Sequence, residues 1–264
     1  METGSQAERS GPPYSLPPYR LQSEDILFCI DIDAESSVEM KVTGAKGRPI
    51  TRLDSIKQSL LLFVNSKLTI NPDHRFAFAV LGLSVSWLRR EFSNEVGAAM
   101  AAVQSLTAAA SSYGSADLTQ LFRIATQEAK NSRSQGRLLR VILIYCRSSV
   151  PPQHQWPLNQ KLFTLDVIYL HDKPGPENCP QKVYDMLVDA LDHVCEYEGY
   201  IFESGQGLSR VLLRQICILL SHPQQRCPQD DLDIPKSLEK KLPPPTDPTI
   251  ADDTSTTIQY ANAP

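Results

Sequence analysis

The sequence predicts an α/β fold: a doubly wound, mainly parallel sheet with helices on both faces. Two observations carry that expectation. The first is a set of nearly continuous apolar runs, Asp25-Ile-Leu-Phe-Cys-Ile-Asp-Ile-Asp33, Arg140-Val-Ile-Leu-Ile-Tyr-Cys146 and Leu165–Leu170. A strand reads this way when both of its faces are covered, as in a parallel sheet. The second is apolar residues at helical spacing between those runs, as in Leu53, Ile56, Leu60, Val64 and Leu68. Strands alternating with helices imply crossover connections and two helical layers. Proline placement marks two tails around this body: of 20 prolines, 4 precede Leu21 and 8 fall at or after Pro223.

In chain order, the first strand is Asp25–Asp33 and the first helix follows through Leu68. Phe76–Leu81 and Val85–Leu88 read as short strands joined tightly at Gly82. Gly97–Ala110 is alanine-rich and helix-prone, and Leu118, Leu121, Phe122 and Ala125 mark another helix. The strands at 140–146 and 165–170 come next, the latter entered through Pro151, Pro152 and Pro157. Pro180 opens a helix carrying Val183, Leu187, Ala190, Leu191 and Val194. Gly199–Glu203 is a last short strand, and Leu208, Val211, Leu212, Gln215, Ile216 and Leu219 form a closing amphipathic helix. The expected organisation is a proline-rich arm over 1–21, one domain over 22–222 and a proline-rich, mostly disordered tail over 223–264.

Composition narrows function. Lys and Arg total 26 against 30 Asp and Glu, a net charge of −4, which argues against direct nucleic-acid binding. No apolar run approaches the roughly 18 residues of a membrane span, and 1–11 lacks the apolar stretch of a signal peptide. The six cysteines form no Cys-x-x-Cys pair, and Cys29, Cys146 and Cys217 sit in apolar runs, so a reduced intracellular protein is expected.

No Gly-x-Ser-x-Gly, His-Glu-x-x-His or Walker loop occurs, and no motif places His74, His154, His171, His193 or His222 beside a nucleophile. The expectation is no enzyme and no cofactor; His171-Asp172, after a strand, is the residual catalytic candidate. Ser204-Gly-Gln-Gly-Leu-Ser-Arg210 imitates a dinucleotide loop, but it lacks the third glycine and reads better as a helix-entry turn.

Two stretches invite closer inspection. In Asp31-Ile-Asp33-Ala-Glu35 the acids alternate, so on extended chain the three carboxylates share one face. That pattern suits either a divalent-cation site or a solvated acidic loop, and the loop is the expectation. The second stretch is Leu219-Leu220-Ser-His-Pro223-Gln-Gln-Arg226, where the closing helix ends. Pro223 presets extended backbone and Arg226 supplies a five-donor fork, a combination suited to a partner's groove.

An apolar strand ending in Asp31, a loop and a long amphipathic helix in a doubly wound pattern resemble a von Willebrand factor A domain. The resemblance implies a metal site of the Asp-x-Ser-x-Ser type, with a Thr from a second loop and a later Asp. Asp31 matches the first position. Asp33 and Glu35 stand at the serines, Ser115 or Ala116 at the Thr, and Tyr145-Cys146-Arg147 where the Asp belongs. This is a degenerate metal loop for which no bound metal is expected.

With Ile142-Leu-Ile-Tyr-Cys-Arg147 and Leu219-Leu-Ser-His-Pro-Gln-Gln-Arg-Cys-Pro-Gln229, the body resembles a narrower family. It is the von Willebrand A-like scaffold subunit of the BRISC and BRCA-one-A complexes, the complex-member-one or MERIT-forty family. The resemblance implies a non-catalytic scaffold in a deubiquitinase complex, whose JAMM-type subunit cuts lysine-sixty-three-linked ubiquitin chains in the DNA damage response and related signalling. It implies residence in nucleus and cytoplasm. A ubiquitin-conjugating-enzyme-like subunit is the expected partner at Pro223, Arg226, Leu219 and Leu220. The alternatives are a ubiquitin receptor or a metal-dependent ligand-binding module of the same fold.

Overall fold

The computed structural model describes residues 21–40, 49–155, 161–205 and 209–232. Six strands make the central sheet: β1 (Glu24–Asp31), β2 (Arg75–Leu81), β3 (Val85–Ser93), β4 (Leu138–Tyr145), β5 (Thr164–Leu170) and β6 (Ile201–Ser204). Their order is β6-β5-β4-β1-β2-β3. Every pairing is parallel except β2 with β3. Five helices connect them: α1 (Arg52–Ile70), α2 (Val96–Ser105), α3 (Thr119–Ser134), α4 (Pro180–Val194) and α5 (Ser209–Ile218). The order turns back at β1, so ligands of such a sheet meet the carboxyl ends around β1 and β4.

The apolar runs become the buried strands. Every residue of β1, β4 and β5 is buried. On one face Leu27, Cys29, Val141, Leu143, Leu165 and Val167 pack under α3 and α4. On the other, Phe28 meets Phe63 of α1 edge-on at 5.5 Å. This two-faced burial gives the doubly wound α/β class expected from sequence.

Local chemistry sets the helix ends. Thr51 and Asp54 close a capping box at the start of α1. Pro180 fills the first turn of α4, where its missing N–H costs nothing. Gly136 takes φ 69° just after α3, and the Arg137 N–H reaches back to the Ser132 carbonyl at 2.9 Å.

Three elements differ from expectation. The strand Val85–Leu88 runs on to Ser93, because β2 offers a partner along that length. The alanine-rich helix stops at Ser105 rather than Ala110, and the Ala109 N–H bonds instead to the Ile32 carbonyl at 2.7 Å. The first strand ends at Asp31, and the chain then winds into a 3-10 turn over Ala34–Ser37. Pro157, and Gln206–Leu208 of the glycine loop, lie outside the described residues.

Candidate functional site

The acidic loop sits at the carboxyl end of β1, beside the point where the strand order reverses. Its three carboxylates do not share a strand face. Asp33 caps the 3-10 turn, accepting the Glu35 N–H at 3.0 Å, so the chain is no longer extended there. Each acid finds its own protein partners.

Asp31 is wholly buried and meets Arg147, also wholly buried, through Nε at 3.2 and 3.1 Å and Nη2 at 3.0 Å. It also accepts the N–H groups of Cys146 and Asp33, each at 3.1 Å. Asp33 accepts the Tyr113 N–H at 2.6 Å and the Ser112 hydroxyl at 3.1 Å. Glu35 accepts the Ser148 N–H at 3.0 Å and its hydroxyl at 2.6 Å.

Arg147 fills the middle of this site. Beyond Asp31 it donates to the carbonyls of Ser115 at 2.6 Å and Gly82 at 2.5 Å. Its guanidinium lies over the Tyr113 ring, 5.4 Å from the centroid. The two residues at the expected Thr position contribute only that Ser115 carbonyl, while Ala116 is buried in the core.

The donor set does not fit a divalent cation. Such an ion needs carboxylate oxygens with lone pairs to spare, and those of Asp31 already accept from guanidinium and backbone N–H groups. A fixed guanidinium against the carboxylate also repels a second cation. The arrangement is an internal ion pair, beside which a cavity of about 470 Å³ lined by Glu35, Ser148, Asp172 and Lys173 stays open.

His171-Asp172 follows β5 nearby. The His171 Nδ1 bonds the Asp172 carbonyl at 2.7 Å, and its ring stacks on Tyr169 at 4.7 Å. The Asp172 carboxylate accepts from Arg52 at 2.5 Å. His171 is buried, its Nε2 without a hydrogen-bond partner among the described residues, whereas Asp172 is exposed.

The second expected site is the segment after α5. Leu219 is buried in the core, Leu220 is half-buried and Pro223 is buried at the start of a 3-10 turn. The Arg226 fork expected to face a partner is turned inward, its side chain wholly enclosed. It grips Asp166 of β5 at 2.6 and 3.0 Å and lies over the Tyr200 ring, 4.3 Å from the centroid. Arg140 of β4 reaches the same carboxylate at 2.6 Å and donates to the Leu219 carbonyl, also at 2.6 Å. A cation at the carbonyl end of α5 suits the helix dipole.

Burial by itself pushes the Asp166 carboxyl up, and the charges of Arg140 and Arg226 more than reverse this, holding it at about 2. Farther on, the Gln229 amide both accepts from the Ile201 N–H and donates to its carbonyl, each at 2.7 Å, in the manner of a paired strand. The packed body therefore runs past His222 to Asp230. Ser221, Gln225, Cys227 and Pro228 remain exposed on this strap.

Sequence reasoning missed Arg140, Asp166 and Tyr200. A signal was present: a charge inside a buried strand needs a partner, and Asp166 stands inside Leu165–Leu170.

No family model matches the chain. Among curated proteins, BRISC and BRCA1-A complex member 1 of Rattus norvegicus is 26% identical over 216 residues. That alignment covers 77% of this chain and 64% of the rat protein, so just under two-thirds of the relative is represented. Among solved structures, the PilB minor pilin from Streptococcus sanguinis matches with a TM-score of 0.52 at 9% identity, covering 77% of this chain and 62% of that one. The SpRpn10 VWA domain aligns at 15% identity and a TM-score of 0.49, covering 74% and 95%. The chain is thus a doubly wound α/β protein and, along its body, a sequence relative of BRISC and BRCA1-A complex member 1.

Proposed function

We propose that this protein is a non-catalytic scaffold subunit of a multi-subunit deubiquitinase complex. The observation that carries the reading is its likeness, over 77% of its length, to a protein named as a member of the BRISC and BRCA1-A complexes. The strand-end face supports it, because its acids are engaged with Arg147 and backbone groups rather than held ready for a substrate. In this reading the assembly contains a JAMM-type protease acting on lysine-sixty-three-linked chains, in the nucleus for DNA repair and in the cytoplasm.

The segment from Leu219 to Pro228 is the docking element for a ubiquitin-conjugating-enzyme-like subunit. Pro223 and Arg226 fix its path, and Leu220, Gln225, Cys227 and Pro228 offer it to the partner. Rigid presentation lowers the entropy lost on association.

The test is purification of the tagged full chain, with mass spectrometry and a ubiquitin-chain cleavage assay on the eluate. A co-purifying JAMM-type protease and conjugating-enzyme-like subunit, with chain cleavage, is the expected result. Elution of the protein alone, or with proteasome subunits, overturns it.

A further inference from the structure

The groove between α1 and α5 plays no part in the sites above. It encloses about 330 Å³, floored by Ser55 and Ser59 of α1 and walled by Leu62 of α1 and Leu213 of α5. Ser55, Ser59 and Leu62 lie at i, i+4 and i+7, so one helical face builds the floor and one wall. The small serine side chains leave the space between the helices open.

The exposed walls mark this groove as a place for a ligand. Leu62 and Leu213 are 43% and 42% exposed, two large apolar side chains facing each other across a cleft. Ser55 is only 3% exposed and packs into the floor beneath them.

The charge around the groove identifies the occupant. Arg210 stands at its rim and Arg214 one turn on; both are exposed, and neither meets a carboxylate among the described residues. A second copy of this chain is disfavoured, because a two-fold contact here would set these arginines against their own copies. An acidic partner is favoured for the same reason.

We infer that the groove takes an acidic segment of the docking partner. That segment places an apolar side chain between Leu62 and Leu213 and a carboxylate against Arg210 and Arg214. This rests on the docking reading given above, because α5 leads straight into that segment. Leu220 lies seven positions beyond Leu213, just past the end of α5. A partner held at Leu220–Pro228 is within reach of the groove.

The protein's own thiols provide the test. Cys217 is exposed on α5, one turn beyond Leu213; Cys227 is exposed on the docking segment; Cys179 is exposed at the start of α4. The full chain is alkylated with N-ethylmaleimide, with and without the purified conjugating-enzyme-like subunit in tenfold excess over its Kd. By mass action a covered thiol then reacts about tenfold more slowly. Slowing at Cys217 and Cys227 with Cys179 unchanged is the expected result. Slowing at Cys227 alone overturns the groove and leaves the docking reading standing. Slowing at neither overturns both.

Substitution at the exposed wall gives a second readout. Leu213→Arg is expected to weaken binding about tenfold, and Arg210→Glu to slow association with a shallower salt dependence. Affinity unchanged in both variants, with their folds intact, overturns the groove as a contact.

Discussion

Arg226 and Asp166, 60 positions apart, form a wholly buried ion pair in which two guanidinium nitrogens meet the two carboxylate oxygens at 2.6 and 3.0 Å. The pair ties the chain beyond α5 to strand β5. Removing one partner of such a pair strands the other charge in the interior. Arg226→Ala is expected to cost about 3 kcal/mol in urea unfolding. Amide exchange over 219–229 should rise more than elsewhere, because Arg140 still holds Asp166 on its other side. Unchanged exchange in that stretch would count against the strap.

The pairing of Arg147 with Asp31 carries a second expectation. Arg147→Ala leaves Asp31 buried without its cation and is expected to destabilise by about 3–5 kcal/mol. Adding Asp31→Asn should recover part of that loss, since the stranded charge is then gone. Denaturant midpoints of the two variants measure the difference. For the unmodified protein, millimolar Mg²⁺ should leave the melting temperature unchanged; an upward shift would reveal a cation site.

His74 predicts an acid-sensitive step. It is 2% exposed, its Nδ1 accepts the Glu24 N–H at 2.9 Å, and Glu24, Lys67 and His222 surround it. Burial, then the charge of Lys67, holds its pKa at about 4, below the ordinary 6.5. Between those values the unfolded chain binds a proton that the folded chain refuses, so stability falls as pH drops from 6.5 to about 4. The part owed to His74 is roughly 3 kcal/mol at most. Denaturation at pH 7 and pH 4.5 should show the loss, and His74→Asn should shrink it. Below that range Asp166, held at about 2, adds its own loss as pH falls from about 4 toward 2.

Gly199 precedes β6 at a crowded approach. A Cβ there would press on the Leu165 carbonyl oxygen and lie 2.6 Å from the Cys195 sulfur. Gly199→Ala therefore forces backbone apart and is expected to cost about 1–3 kcal/mol by thermal melting. At Gly97 nothing stands within 4 Å of an added Cβ, so Gly97→Ala should be neutral or stabilising.

The sequence by itself determined the strands, helices and fold class. Val141–Ile144 is apolar at every position, which only two-sided burial satisfies, and Pro180 with Val183, Leu187 and Val194 marks a helix with one buried face. These patterns are legible because each is enforced by neighbours a few positions away. The sites were less so. Asp31 and Arg147 are 116 positions apart, and alternation alone suggested three acids on one face. The turn at Asp33 and the parallel register of β1 with β4 decide instead that Asp31 hydrogen-bonds an arginine while Asp33 and Glu35 accept from backbone N–H groups and serine hydroxyls. Arg226 likewise reads as an exposed fork until β5 brings Asp166 beneath it. A buried charge takes whichever opposite charge the topology delivers, because leaving it unpaired in the interior costs more than any local preference.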